Sequence, residues 1–386
     1  MDTMARDNAY VANTYRRFPV SIVRGKGSLL WDEDGKEYID MGTGIAVNTL
    51  GVADDGWQQA VTAQLGLVQH TSNLYYTEPC ARLAEMLCQR TGMKKVFFGN
   101  SGAEANECAI KVARKWAAEQ LGPEYTTIIT LQNSFHGRTL TTLAATGQEH
   151  YHELFQPLTP GFVHVPAEDV EALRKAFEQH KVAAVLMECI QGEGGVVPLS
   201  PAYAAAVEEI VRANGALLMV DEVQTGNGRT GALYAYMNYG LHPDVVTTAK
   251  GLSGGLPLGA VLMNERTEHV LGYGDHGSTF GGNPVCCAAA LYVLGCIDDA
   301  LLMSVREKEY CLRNRFAASG GITEVTGMGL MLGLKTVKPA AEVVQRGMEQ
   351  GVLCLPAKQK VRLLPALNIP MALLEKAADI ICEVTQ

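Results

Sequence analysis

From residue 95 to residue 263 the chain repeats one pattern. A short apolar run is followed by a polar or glycine-rich stretch and then by a longer segment with helical spacing. The runs are Lys95–Phe98, Thr127–Leu131, Phe162–Val165, Val182–Met187, Ala216–Val220, Val245–Ala249 and Gly259–Met263. Ala103–Glu119 and Pro201–Ala213 are two of the helical stretches between them. Strands that alternate with helices imply a mostly parallel sheet with both faces covered. Ligands of such sheets sit at the carboxyl ends of the strands. The chemistry is therefore expected directly after these runs, where the polar and glycine-rich segments lie.

The two chain ends read differently. Residues 20–41 hold strand-like pieces around WDEDGKEYID, with Asp34-Gly35 as a hairpin signal. Near the other end Gly329–Thr336, Val352–Leu355 and Val361–Leu364 read as strands with helices between and after. A smaller α+β domain built from residues 1–60 and 296–386 is expected beside a large domain over 61–295. The length of 386 residues suits two such units, and 47 % apolar residues supply their cores.

Charge and cysteines narrow the partners. The net charge is −9, which argues against nucleic acid or an anionic membrane as a partner. No window approaches the ~18 consecutive apolar residues of a membrane span, and the first residues lack the apolar core of a secretory signal. The ten cysteines form no C-x-x-C pair and read as reduced core thiols. A soluble cytoplasmic protein is expected, with no metal site.

Several residues then stand out. Asp221 ends the apolar run Ala216–Val220. A carboxylate there is costly unless a cation meets it, and a pyridinium nitrogen is one such partner. A metal ion or a helix cap is the plainer alternative. Lys250 follows Val245–Ala249 and precedes Gly251, Gly254 and Gly255. A lysine in that setting can have a lowered amine pKa and serve as a Schiff-base nucleophile. Taken alone it would be a solvated surface residue. Its neighbouring strand end carries Asp221, and that pairing raises the odds of one shared site.

Gly99-Asn100-Ser101-Gly102-Ala103-Glu104 follows a strand and opens a helix, a place that attracts anions. Ser101 and Glu104 also fit a capping box, which is the plainer reading of the segment taken alone. His276–Asn283 is a second glycine-rich, hydroxylated segment that could add donors to the same phosphate. Phe135-His136-Gly137-Arg138 suits a stacked ring beside a carboxylate clamp. Arg362 lies within an apolar run and needs a partner, for which Glu193 in Gln191–Gly195 is a candidate. A structural ion pair is an equal reading of each of these.

These segments together resemble the class III aminotransferases. The matching stretches are NSGAEANE at 100–107, FHGR at 135–138, QGEGGV at 191–196, DEVQTGNGRTG at 221–231, AKGLSGGLPLGA at 249–260 and HGSTFGGNP at 276–284. They run in family order across nearly the whole chain. The resemblance implies the aspartate-aminotransferase fold, fold type I of the pyridoxal-phosphate transferases, and pyridoxal 5′-phosphate as cofactor. It implies that Lys250 holds the cofactor aldehyde and that Asp221 pairs with the ring nitrogen. Gln224 would meet the ring hydroxyl, with Glu222 and Val223 beside it, and Phe135 would stack on the ring. Ser101, Gly102 and Ala103 would hold the phosphate, joined by Thr279 of the partner subunit in a homodimer. Arg138 would clamp the substrate α-carboxylate with Ser278 nearby, and Arg362 and Glu193 would form a switchable pair.

The segments TYRRFPV at 14–20, LWDEDGKEYIDMGTGIAVNTLG at 30–51 and HTSNLYYTEP at 70–79 are similar to the branch of that family that acts on acetylornithine. The implied reaction passes an amino group from N2-acetyl-L-ornithine to 2-oxoglutarate, a step of arginine biosynthesis. Succinylornithine, ornithine and 4-aminobutyrate are alternative donors, and an aminomutase or decarboxylase is a more distant reading. One departure is Gly51-Val52-Ala53-Asp54-Asp55, where that branch usually has a Gly-His-x-His-Pro turn.

Overall fold

The structure is a computed structural model that describes residues 2–386. Its strands, in chain order, begin with β1 (Ile22–Lys26), β2 (Leu29–Asp32) and β3 (Glu37–Asp40). The central set is β4 (Lys95–Gly99), β5 (Thr127–Leu131), β6 (Phe162–Val165), β7 (Val182–Met187), the short hairpin β8 (Ile190–Gln191) and β9 (Val197–Pro198), then β10 (Leu217–Asp221), β11 (Val245–Thr248) and β12 (Gly259–Met263). The last are β13 (Ile322–Met328), β14 (Met331–Thr336), β15 (Val352–Leu353), β16 (Leu355–Ala357) and β17 (Lys360–Leu363). All seven expected central strands form, with ends that shift by one residue at most.

The central sheet has seven strands in the order β4-β12-β11-β10-β7-β5-β6. Strands β7, β10, β11 and β12 are buried along their whole length, as their unbroken aliphatic runs require. Only β12 runs antiparallel, against β11 on one side and β4 on the other. Strands β10 and β11 are parallel neighbours, with Asp221 opposite Thr247, so the two strand ends that carry Asp221 and Lys250 lie side by side.

Helix Gly102–Gln120 covers one face. It buries Ala105, Cys108, Ala109, Val112, Ala113 and Trp116, and the small residues let its axis lie close over β11 and β12. Ser101 caps it by accepting from the Glu104 amide at 3.2 Å. Helices Glu78–Thr91, Pro201–Ala213 and Pro284–Cys296 contribute to the core on the other face.

A second layer joins both chain ends. Strands β1, β2 and β3 form antiparallel pairs, and β15 adds to β3 in parallel with Val352 opposite Ile39. The turn at Asp34-Gly35 links β2 and β3, with Gly35 at φ +82°. A further sheet, β13-β14-β17-β16, packs under helices Asp299–Ala317, Ala340–Glu349 and Met371–Thr385. The expected strand Val352–Leu355 is divided at Cys354: β15 joins β3, whereas β16 pairs with β17. Strand β13 was not expected, because a solvent-facing strand that exposes Thr323 and Glu324 carries little apolar signal.

The unusual 51–55 segment is a local clasp. Gly27 and Val52 exchange backbone hydrogen bonds at 2.7 Å, and Gly51 (φ +80°) would drive any β-carbon into the Gly27 backbone. Asp54 then caps helix Asp55–Leu65 through the Trp57 amide at 2.9 Å. Among the described residues no single helix is long and apolar enough to cross a membrane. All ten cysteines are unpaired.

Candidate active site

The carboxyl ends of β7, β10 and β11 gather the polar residues. Asp221 is the last residue of β10 and only 4 % exposed. Its Oδ2 accepts from Asn106 Nδ2 at 2.7 Å and lies 2.8 Å from His136 Nδ1. Its Oδ1 accepts from the Val223 amide at 3.0 Å. Thr247 in turn donates to Asn106 Oδ1 at 2.8 Å, which fixes the amide orientation. Among the described residues His136 Nε2 is buried without a partner.

Lys250 follows β11 in a left-handed backbone conformation, φ +44°. Burial pushes its amine below the ordinary lysine value. Glu193 works against that shift, Arg362 adds to it, and Asp221 and Glu188 work against it. Gly251 admits no side chain, since a β-carbon would sit 2.5 Å from Thr49 Oγ1, and Thr49 donates to the Gly251 carbonyl at 2.8 Å. Thr49 follows a full left-handed turn, Thr43 to Ala46, with φ between +48° and +66°. Three non-glycine residues in that region cost on the order of 1–3 kcal/mol each, so the surrounding packing holds the turn in place.

The helix start at Gly102 is an open cradle. Among the described residues the Gly102 and Ala103 amides donate to no acceptor, because Ser101 takes only the Glu104 and Ala105 amides. The Ser101–Glu104 capping arrangement also exists: Glu104 accepts from Ser101 Oγ at 2.8 Å and from the Asn100 amide at 3.0 Å. The cap therefore forms, and two amides at the helix start remain unused beside it. Gly102 has no room for a β-carbon, which would meet Val223 Cγ1 at 2.6 Å.

The Phe135–Arg138 loop packs on this helix start, since a β-carbon on Gly137 would lie 2.9 Å from that of Ala103. Arg138 is exposed and makes no ion pair among the described residues; its guanidinium lies 5.8 Å from the Phe135 ring and 5.5 Å from the Tyr151 ring. Arg362, only 3 % exposed, donates to Glu193 Oε1 at 2.6 Å and to Gln224 Oε1 at 2.9 Å. Gln224 Nε2 completes the triangle on Glu193 at 3.2 Å. Burial disfavours the Glu193 charge, but Arg362, Lys250 and Gln224 outweigh it and hold the carboxyl below its ordinary value.

Not every expected residue joins this cluster. Glu222 is fully buried, and its carboxylate is occupied by Thr225 and by the Ala235 and Tyr236 amides, so it serves the fold. Thr279 is exposed and bonds to nothing among the described residues. Its neighbour Ser278 accepts from Asn100 Nδ2 at 3.0 Å, and Asn73 holds the Ser278 and Gly281 carbonyls. Asn106, His136 and Glu188 belong to the cluster without having been singled out. The only sequence signal for them is a polar residue inside an otherwise small or apolar motif. A cavity of about 810 Å³ between Phe18–Ile22 and Leu353–Leu355 contains none of these residues.

A pyridine ring with a phosphate arm fits this arrangement. Two free amides at a helix start suit the phosphate, a buried aspartate at a strand end suits a protonated ring nitrogen, and a less basic lysine stands just past the end of the adjacent strand. Comparison with known proteins agrees. The "Aminotransferase class-III" family model matches residues 10–385. The acetylornithine aminotransferase of Haemophilus ducreyi is 48% identical over 98% of this chain and 97% of its own length. The crystal structure of N-acetylornithine aminotransferase from Stenotrophomonas maltophilia covers 99% of this chain and 98% of its own at 35% identity, with a TM-score of 0.86. Ornithine aminotransferase from Toxoplasma gondii covers 99% of this chain and 94% of its own at 33% identity, with a TM-score of 0.94. The chain belongs to the class III aminotransferases, enzymes of fold type I that depend on pyridoxal 5′-phosphate.

Proposed function

We propose that the chain transfers the δ-amino group of N2-acetyl-L-ornithine to 2-oxoglutarate, giving N-acetyl-L-glutamate 5-semialdehyde and L-glutamate, within arginine biosynthesis. The observation that carries this reading is the unequal state of two arginines. Arg138 is exposed and unpaired, whereas Arg362 is buried and neutralised by Glu193 at 2.6 Å. A site with one available cation suits a donor with one carboxylate and a neutral acyl group. The masked second cation suits a dicarboxylate that can displace Glu193.

When bound, pyridoxal 5′-phosphate supplies an aldehyde that takes up amino groups and a ring that accepts electrons. The Gly102 and Ala103 amides, with Ser101, would hold its phosphate, joined by Thr279 of the partner subunit in a homodimer. Asp221 would accept from the ring nitrogen, with Asn106 and His136 holding the carboxylate in place. Phe135 would cover the ring, and Val223 and Gln224 would line its edge. Lys250 Nζ, made less basic by burial, would take the proton from the donor carbon and return it. Arg138 would bind the α-carboxylate, with Ser278 beside it.

Residues 61–295 are proposed as the cofactor-binding domain, and 1–60 with 296–386 as the smaller one. The pairing of β3 with β15 supports that division.

The test is a side-by-side assay of acetylornithine, succinylornithine, ornithine and 4-aminobutyrate, each with 2-oxoglutarate. The highest kcat/KM is expected for acetylornithine. A higher value for any other donor would overturn the assignment.

A further inference from the structure

Glu188 follows the carboxyl end of β7 and is only 5 % exposed. A buried carboxylate needs donors, and two find it. Its Oε2 accepts from the Phe135 amide at 3.0 Å and its Oε1 from the Gly192 amide at 3.2 Å. Those amides belong to different loops. Phe135 begins the loop that ends in Arg138, and Gly192 directly precedes Glu193, the partner of Arg362. Gly192 is itself packed so closely on Gln224 that a side chain there has no room. One carboxylate therefore hangs both substrate-facing loops from its two oxygens.

We propose that Glu188 is a positioning residue that fixes the Phe135–Arg138 loop and the Gly192–Glu193 turn relative to each other, so that one buried carboxylate sets the spacing of the two arms that handle substrate carboxylates. This rests on the roles proposed above for Arg138 and Glu193. Neither substrate nor cofactor need touch Glu188. The function requires it to be ionised, because a protonated oxygen loses its place as an acceptor for one of the amides.

The charge balance around it makes that requirement pH-sensitive. Burial pushes the Glu188 carboxyl up to about 7, His136 lowers it, Asp221 raises it, and the Phe135 and Gly192 amides lower it. Lys250 and Cys189 also feel its charge. Above this value the carboxylate holds both amides. As pH falls through it, one tether is lost.

The test uses the holoenzyme and its Glu188→Gln variant, which keeps the volume but offers one acceptor oxygen instead of two. Glutarate, an unreactive dicarboxylate, is titrated calorimetrically from pH 8.5 to 6. Wild-type affinity is expected to fall as pH drops through about 7. The variant should bind about tenfold more weakly at pH 8.5, the loss expected for one hydrogen bond to a charged acceptor, and should lack that acidic fall. Arg138→Ala and Glu193→Ala serve as controls in the same titration. If both controls change glutarate affinity while Glu188→Gln matches wild type at every pH, the positioning role is wrong and the site reading stands. If the controls leave the affinity unchanged, the site reading is what has failed. Should Glu188→Gln not fold, hydrogen exchange of wild-type peptides spanning Phe135 and Gly192 decides the matter. Corrected for intrinsic rates, protection of at least one of the two amides should fall below pH 7. Protection of both that is constant with pH would overturn the proposal.

Discussion

Removing the Glu193 carboxylate leaves Arg362 with a single partner, Gln224 Oε1 at 2.9 Å. Among the described residues the Arg362 Nε is already buried without an acceptor, so the guanidinium has little else to turn to. Breaking a fully buried ion pair costs about 3–5 kcal/mol. Glu193 is 28 % exposed on its side chain, so water can reach the vacated space, and the loss in Glu193→Ala should be nearer about 1–2 kcal/mol. Denaturant unfolding of the holoenzyme would read that difference. The same freed cation should change specificity. A second substrate carboxylate entering the site no longer has to displace Glu193, so the glutamate half-reaction should gain about five- to thirtyfold in kcat/KM if the 1–2 kcal/mol is recovered on binding. The acetylornithine half-reaction brings no such carboxylate and should slow. Single-turnover kinetics of the two half-reactions separate these effects. Equal slowing of both, or no change in either, would show that Glu193 is a structural residue and that the Arg362 pair does not switch.

Three further outcomes follow from the site. Lys250→Ala should abolish the borohydride-reducible link between protein and cofactor, and a reduced peptide mapped to another lysine would refute the assignment. Asp221→Asn keeps the shape but removes the charge from the centre of the Asn106 and His136 contacts, and turnover should fall on the order of 10²-fold or more; near wild-type turnover would sink its role. Glu222 is pushed up to about 7 by burial, above its ordinary 4.5. The folded chain thus holds a proton there that the unfolded chain releases, and its stabilising effect disappears as pH rises from 4.5 to 7. The stability difference between wild type and Glu222→Gln should therefore move by about 3 kcal/mol against wild type between pH 4.5 and 8, and a difference that stays flat with pH would refute it.

The central sheet was legible because β7, β10, β11 and β12 carry unbroken aliphatic runs that suit nothing but full burial. Asp221 and Lys250 were legible for a related reason: each is a charge placed where such a run stops. The register that sets Asp221 opposite Thr247 could not be read, since it depends on strand order. Strand β13 escaped notice because it faces solvent, and the division at Cys354 because two sheets compete for one short apolar run. Asn106 and His136 act through contacts with residues 30 to 141 positions away, and Glu188 reaches Phe135 53 positions away, and no spacing rule encodes those. Glu222 shows the converse limit. It stands in a functional motif, yet its carboxylate is consumed by backbone amides of the next helix.

The antiparallel strand β12 has a consequence for how this enzyme is made. It is the last strand of the central sheet in sequence, yet it lies between β4, the first, and β11. Gly259 packs against the Ser101 backbone so closely that no side chain fits, so the helix start at Gly102 and the lysine strand meet only after β12 has inserted. Pairings this distant in sequence form slowly, because loop closure must be met before any contact repays it. A nascent chain released up to residue 250 would already own Asp221 and Lys250 and still lack a closed sheet between them and Ser101. Cofactor uptake would then act as a late checkpoint in biogenesis, stabilising by mass action only those chains in which the final strand has been threaded home.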